Sequence, residues 1–200
     1  MGRTSTARDR LLDATAGLMR HRGYTGVGIA EICASADVKK GSFYHFFDSK
    51  QALTLEVVSM HWHCQRTLWA TELSGNKPAL TRLRNLLASM VSVQERTKDD
   101  TGTVDGCLLG NLALELSAQE PMLRAHLEEI FEEQTALIAG VIKEAAAEGS
   151  VDHRSATSTT ARAVVAHIEG MILFAKLKND PSVLNDLWPH TLLLLGADGA

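Results

Sequence analysis

Residues 28–47 read GIAEICASADVKKGSFYHFF, and this stretch decides the fold. Ile29, Ile32, Cys33 and Ala36 recur at three- and four-residue spacing, which lines one face of a short helix, with small side chains where a second helix must come close. Asp37 and Val38 mark a turn, because Asp accepts the left-handed conformation better than most residues and Val38 can plug the core beneath it. A second short helix is expected over residues 39–47, with Phe43 and Phe47 on its inner side. Two short helices joined by a tight turn, the first packed behind the second, are the arrangement that offers a helix to the major groove of DNA.

The outer positions of the second helix carry groups suited to that groove. Lys39 and Lys40 can neutralise phosphates, Gly41 allows close backbone approach, and Ser42, Tyr44 and His45 offer hydrogen bonds to base edges or phosphate oxygens. Lys50, in the first turn of the next helix, stands where it can reach the nucleic-acid backbone beside a helix N-terminus. The net charge of −4 argues against nucleic-acid binding until its distribution is considered. Residues 1–50 hold eight Lys or Arg against five Asp or Glu, and the remainder hold twelve against nineteen. A basic N-terminal module therefore precedes an acidic body, and only the module needs to approach phosphates.

Working outward, apolar residues keep helical spacing along the whole chain and no stretch alternates as a strand would, so the fold class is all-α with about nine helices. The first helix is expected over about 6–22, with Gly23 as its stop, and the fourth starts after Asp48 or Ser49. A fifth runs over about 78–96, followed by a polar loop from Thr97 to Asp105. Gly106 and Cys107 open a sixth, strongly apolar helix through Leu116; the seventh covers about 121–148 and the eighth about 155–178. The ninth has Asp180 as its cap and Pro181 at its first position, with Pro189 expected to break or kink it. The domain reading is a three-helix DNA-binding module over 1–50 and an effector-binding and dimerisation domain over 51–200.

No apolar run approaches a membrane span, and the polar start Met1-Gly2-Arg3-Thr4-Ser5 reads as no secretory signal, so a cytoplasmic protein without membrane partners is expected. Three cysteines without CxxC spacing argue against a disulfide framework or structural zinc. His61 and Cys64 share a helical face, but two ligands are too few, and neither metal nor cofactor is expected. Trp62 and Trp69, two helical turns apart, line either a core or an apolar pocket.

Residues 11–53 resemble the TetR/AcrR family of repressors. The resemblance rests on Gly23-Tyr24, Ile32, Val38, Lys40-Gly41-Ser42, Tyr44, Phe47, Ser49-Lys50 and Leu53. Gly28 stands where that family usually has a capping Thr or Ser that can also meet a phosphate, Asp37 replaces a turn glycine, and Phe46 replaces a common His. The resemblance implies a transcriptional repressor that binds operator DNA as a homodimer through helices 8 and 9 and leaves it when a small-molecule effector or electrophile acts on the C-terminal domain. On helix 8, Ala163, Val164, Ala166, His167, Gly170, Met171 and Phe174 suit such a seam, with Leu184, Leu187, Leu192 and Leu195 as possible additions; the alternative for these residues is the protomer's own core.

The segment Gly106-Cys107-Leu108-Leu109-Gly110-Asn111, with Glu115 a turn later, is similar to the branch that includes the N-ethylmaleimide reductase repressor and acrylate-responsive relatives. That similarity implies sensing at Cys107, with Asn111 nearby and Lys176 as a basic neighbour. A thiol in the first turn of a helix is also favoured as thiolate by the helix dipole, although Asp105 opposes this. Two alternatives stand beside sensing: Cys107 as a small core filler, or as the reactive thiol of a helical enzyme or interaction protein.

Overall fold

The computed structural model describes residues 6–197 and contains nine α-helices and two short 3-10 turns among them. The polar start over residues 1–5, read as no secretory signal, lies outside the described residues. The helices are α1 (Ala7–Arg22), α2 (Ile29–Ser35), α3 (Lys40–Phe43), α4 (Lys50–Leu73), α5 (Ala79–Thr101), α6 (Leu108–Leu116), α7 (Pro121–Ala147), α8 (Ser158–Lys178) and α9 (Leu187–Leu195). No described helix is long and apolar enough to cross a membrane. The chain divides into two compact units, one formed by Met1–Cys64 with Leu108–Glu128, the other by Gln65–Cys107 with Glu129–Ala200.

In the first unit α1 packs on α2 and on α6, and α2 packs on α3. Thr6 caps α1 through a reciprocal pair with Asp9, and Gly23 ends it with its amide on the Met19 carbonyl at 3.0 Å. Leu11, Met19, Ile32, Phe43 and Leu53 are fully buried in this unit, together with Leu109, Leu112 and Leu116 from α6. Thr15 takes an inner position of α1 by closing its hydroxyl on the Leu11 carbonyl at 2.6 Å. Asp37 adopts φ 51°, the left-handed turn conformation. The second helix of the pair is shorter than its expected span: α3 stops at Phe43, and the bond from the Phe46 amide to the Phe43 carbonyl tightens the chain so that Phe47 also turns inward.

The second unit is organised by polar side chains that close helix ends. Buried Arg82 donates to the Lys77 carbonyl at 2.9 Å, to the Leu73 carbonyl and to Glu144, while Glu148 caps α5 at the Ala79 amide at 2.9 Å. Helix α5 runs on to Thr101, five residues beyond the expected end at Arg96, so the polar stretch from Thr97 is helical rather than a loop. Its polarity belongs to an exposed face, and the helix stops only at Gly102, where Lys98 Nζ reaches the Gly102 carbonyl at 2.8 Å. Helix α8 starts at Ser158, capped by Thr157, after a 3-10 turn at His153–Ser155. The segment opened by Asp180 and Pro181 is a 3-10 turn, Pro181–Asp186, and α9 begins only at Leu187. Pro189 therefore sits in the first turn of α9, where a backbone N–H has no intrahelical partner, and it does not break the helix.

Candidate nucleic-acid interface

The interface is built on the turn between α1 and α2. Gly23 has φ 70°, and a Cβ added there would stand 2.5 Å from Glu115 Oε2, so glycine alone lets the turn close on that carboxylate. Glu115, near the end of α6, accepts hydrogen bonds from the Tyr24 and Thr25 amides, both at 2.8 Å, and from the Thr25 hydroxyl. Glu120 accepts from the Tyr24 hydroxyl at 3.1 Å and from the Gln51 amide at 2.6 Å. The Lys50 ammonium faces the same turn: it donates to the Tyr24 and Val27 carbonyls at 3.0 Å each and lies 3.9 Å from the centre of the Tyr24 ring.

Burial and its neighbours shift these groups as a set. Burial, reinforced by the bond to Glu120, pushes the Tyr24 hydroxyl up to about 12. Burial also lowers Lys50, against the raising effect of Glu115 and Glu120. For Glu115 burial acts upward, but the Thr25 and Tyr24 bonds and the Lys50 charge together outweigh it and hold the carboxyl below its usual range.

Other cations of the module are also tied down. Arg10 donates to the Ala36 carbonyl at 2.9 Å and the Asp37 carbonyl at 3.3 Å, closing the end of α2. Arg8 pairs with Glu56 and lies 5.3 Å over the Phe47 ring, Arg22 pairs with Glu31, and Arg20 faces His61 Nδ1 at 3.4 Å. That arginine and, more strongly, burial lower His61 to about 4. Among the described residues up to Lys50, Lys39 and Lys40 are the cations with neither an ion pair nor a hydrogen bond from the side chain.

Those two lysines begin an exposed face. Gly41, Tyr44, His45 and Phe46 are exposed with them, Tyr44 by 54%, and Ser42 is half-buried among them. Beneath this face Phe43 meets the Tyr44 ring edge-on at 5.2 Å and the Phe47 ring at 5.9 Å, so the outward side chains stand on a packed aromatic floor. Gly28 caps α2 with extended backbone and no side-chain bond, and the space where its Cβ would stand is open. The structure thus groups Lys39, Lys40, Gly41, Ser42, Tyr44 and His45, and turns Lys50 toward the protein's own carbonyls.

The candidates for sensing are placed differently. Trp62 and Trp69 are buried on α4, and Asn111 on α6 is half-buried. Cys107 is half-buried just before α6, Cys33 is buried and Cys64 is exposed. Glu169 on α8 is half-buried, two turns before half-buried Lys176, and burial pushes its carboxyl above the usual carboxylate range, against a lesser lowering effect of Cys107. Glu169 was not among the residues singled out by sequence, where no local pattern links it to Cys107.

Residues 11–57 match the family described as bacterial regulatory proteins, tetR family, and residues 79–191 match the tetracyclin repressor-like C-terminal domain. The chain belongs to the TetR family of transcriptional regulators. It is 31% identical to the HTH-type transcriptional repressor DhaR of Mycobacterium sp. strain GP1, over 92% of this chain and 89% of DhaR. It is 34% identical to the transcriptional regulator AcuR of Cereibacter sphaeroides, over 90% of this chain and 81% of AcuR. The crystal structure of Escherichia coli NemR in its reduced form superposes with a TM-score of 0.82 at 25% identity, covering 97% of this chain and 99% of that one. Members of this family are DNA-binding regulators and not enzymes, so the reading of Cys107 as an enzyme's nucleophile is set aside.

The Glu115 bonds have a measurable consequence. Because the folded carboxyl lies below its ordinary value of 4.5, its contribution is present above that value and is lost as pH falls through the folded one. Glu115→Gln is expected to lower stability by about 1–2 kcal/mol at neutral pH in urea unfolding, a gap that closes below pH 4.5.

Proposed function

We propose that this TetR-family protein is a repressor that binds operator DNA as a homodimer in the cytoplasm and is released when an effector or electrophile acts on its C-terminal domain. The observation that carries the DNA-facing part is the pair of unpaired lysines, Lys39 and Lys40, on an exposed face whose neighbouring cations are bound internally. In this reading Lys39, Lys40, the Gly41 backbone and the open cap at Gly28 serve phosphates, while Ser42, Tyr44 and His45 serve bases. Lys50 contributes by holding the turn rather than by touching DNA. The DNA-binding module spans 1–50 and the effector-binding and dimerisation domain 51–200. Repression is supported by relatives named as repressors, DhaR and NemR.

The experiment is fluorescence anisotropy with duplex DNA from upstream of the chain's own gene. Lys40→Ala is expected to weaken binding alike on all sequences and to reduce the logarithmic salt slope by about 1, whereas Ser42→Ala and His45→Ala change base preference. Equal losses on every sequence for all three would contradict the division of roles.

Dimerisation is supported by an exposed stripe on α8 of Ala163, Ala166, Phe174 and Leu177, the last 75% exposed, with Leu193 and Leu194 exposed on α9. Val164, Leu184, Leu187, Leu192 and Leu195, considered for the same seam, are buried within the protomer. Phe174→Glu is expected to give monomers in light scattering and to abolish tight operator binding; a dimer of unchanged mass would rule this seam out.

For the signal, resemblance to the electrophile-responsive branch and half-burial of Cys107 support sensing at that thiol. N-ethylmaleimide is expected to release operator DNA from the wild type and not from Cys107→Ser. Equal release from both would refute it.

A further inference from the structure

Between buried Phe43 and buried Phe47 the chain leaves three successive side chains exposed: Tyr44, His45 and Phe46. The Phe46 and Phe47 amides both bond the Phe43 carbonyl, at 2.9 and 3.0 Å, which fixes this alternation. Among the described residues up to Lys50, Tyr44 and Phe46 are the large apolar side chains that stay exposed, and Phe46, 38% exposed, is the one without a polar side-chain atom. Phe43 meets the Tyr44 ring edge-on, whereas no ring or cation is placed against Phe46 among the described residues. Phe46 follows Ser42 by four residues, about one helical turn, so the two share one side of the segment with His45 next to them. A phenyl ring can neither pair with a phosphate as a cation does nor exchange hydrogen bonds with a base edge. On a surface that faces the major groove it can cover an apolar group, and the methyl that an unmodified base presents there is the C5-methyl of thymine.

We propose that Phe46 is a specificity-determining residue that selects a thymine in the operator through its C5-methyl. The proposal rests on the reading of residues 39–46 as the DNA-facing surface. Lys39 and Lys40 serve phosphates of any sequence, and Ser42, Tyr44 and His45 act by hydrogen bonds; Phe46 adds a contact that none of them can make. Cytosine offers an amino donor and no methyl, so cytosine in place of that thymine leaves the ring without its partner. Covering one methyl favours thymine about fourfold. A homodimer carries Phe46 twice, which places one such thymine in each half-site. At the position where the family commonly has His, this chain has exchanged a hydrogen-bonding group for an apolar one.

The test uses the full-length protein and a duplex that it selects from a random-sequence pool. Each thymine of that duplex is replaced in turn by deoxyuridine, which pairs in the same way and lacks only the methyl, and affinity is read by fluorescence anisotropy. The wild type is expected to lose about fourfold at one thymine in each half-site. Phe46→Ala and Phe46→His are expected to bind the thymine and deoxyuridine duplexes alike at that position, with the salt slope of the wild type because no phosphate contact is removed. Phe46→Leu, still apolar, is expected to keep the preference in reduced form. A wild type that loses affinity at no thymine overturns the proposal without any variant. Weaker binding of Phe46→Ala and Phe46→His to both duplexes, with the thymine preference intact, assigns Phe46 a structural role and overturns it alone. A pool from which the wild type retains no duplex overturns the DNA-facing reading with it.

Discussion

The carboxylate of Glu115 bonds a turn ninety residues away in sequence, and α2 and α3 follow from that turn. The Tyr24 and Thr25 amides end no helix ladder and need an acceptor; Glu115 supplies one to both and to the Thr25 hydroxyl. The carbonyls of the same turn need a donor, and the Lys50 ammonium supplies it to Tyr24 and Val27. A negative group thus serves the amides and a positive group the carbonyls. The two charges also favour each other: Lys50 helps hold Glu115 below its usual range, while Glu115 raises Lys50 against the larger lowering by burial. Gly23 makes this possible by lacking the one atom that would meet the carboxylate.

The same logic explains why a module with several cations presents so few of them. Arg8, Arg10, Arg20, Arg22 and Lys50 close helix ends, pair with carboxylates or meet a ring or imidazole. Their charge contributes to the field around the module, but their geometry belongs to the fold. Lys39 and Lys40 have neither an ion pair nor a side-chain hydrogen bond among the described residues, and Phe43 and Phe47 pack against each other beneath the face that those lysines begin.

What sequence reading reached and what it missed follow from the range of the interactions. Local devices were legible: the Gly23 stop, the left-handed turn at Asp37 and the cap at Asp180 each act within a few residues. Periodicity also revealed the all-α fold. The length of α5 was not legible, since Thr97 to Thr101 are polar whether a helix exposes them or a loop does. Lys50 read as a phosphate contact because its position beside a helix N-terminus suits one; only the placement of Tyr24 and Val27 shows which way the ammonium turns. Glu115 could be noticed as part of a segment, but not its bond to Thr25, which lies ninety residues away in sequence.

The central claim is that the exposed face of residues 39–46, set by the Glu115 turn, is the surface that meets DNA. Amide hydrogen–deuterium exchange of the full-length protein, with and without duplex DNA from upstream of its gene, tests it most directly. The account predicts slowed exchange over residues 39–47 when the duplex is bound, without loss of protection at Tyr24 and Thr25. Tight binding that leaves 39–47 unchanged and slows exchange elsewhere would contradict it.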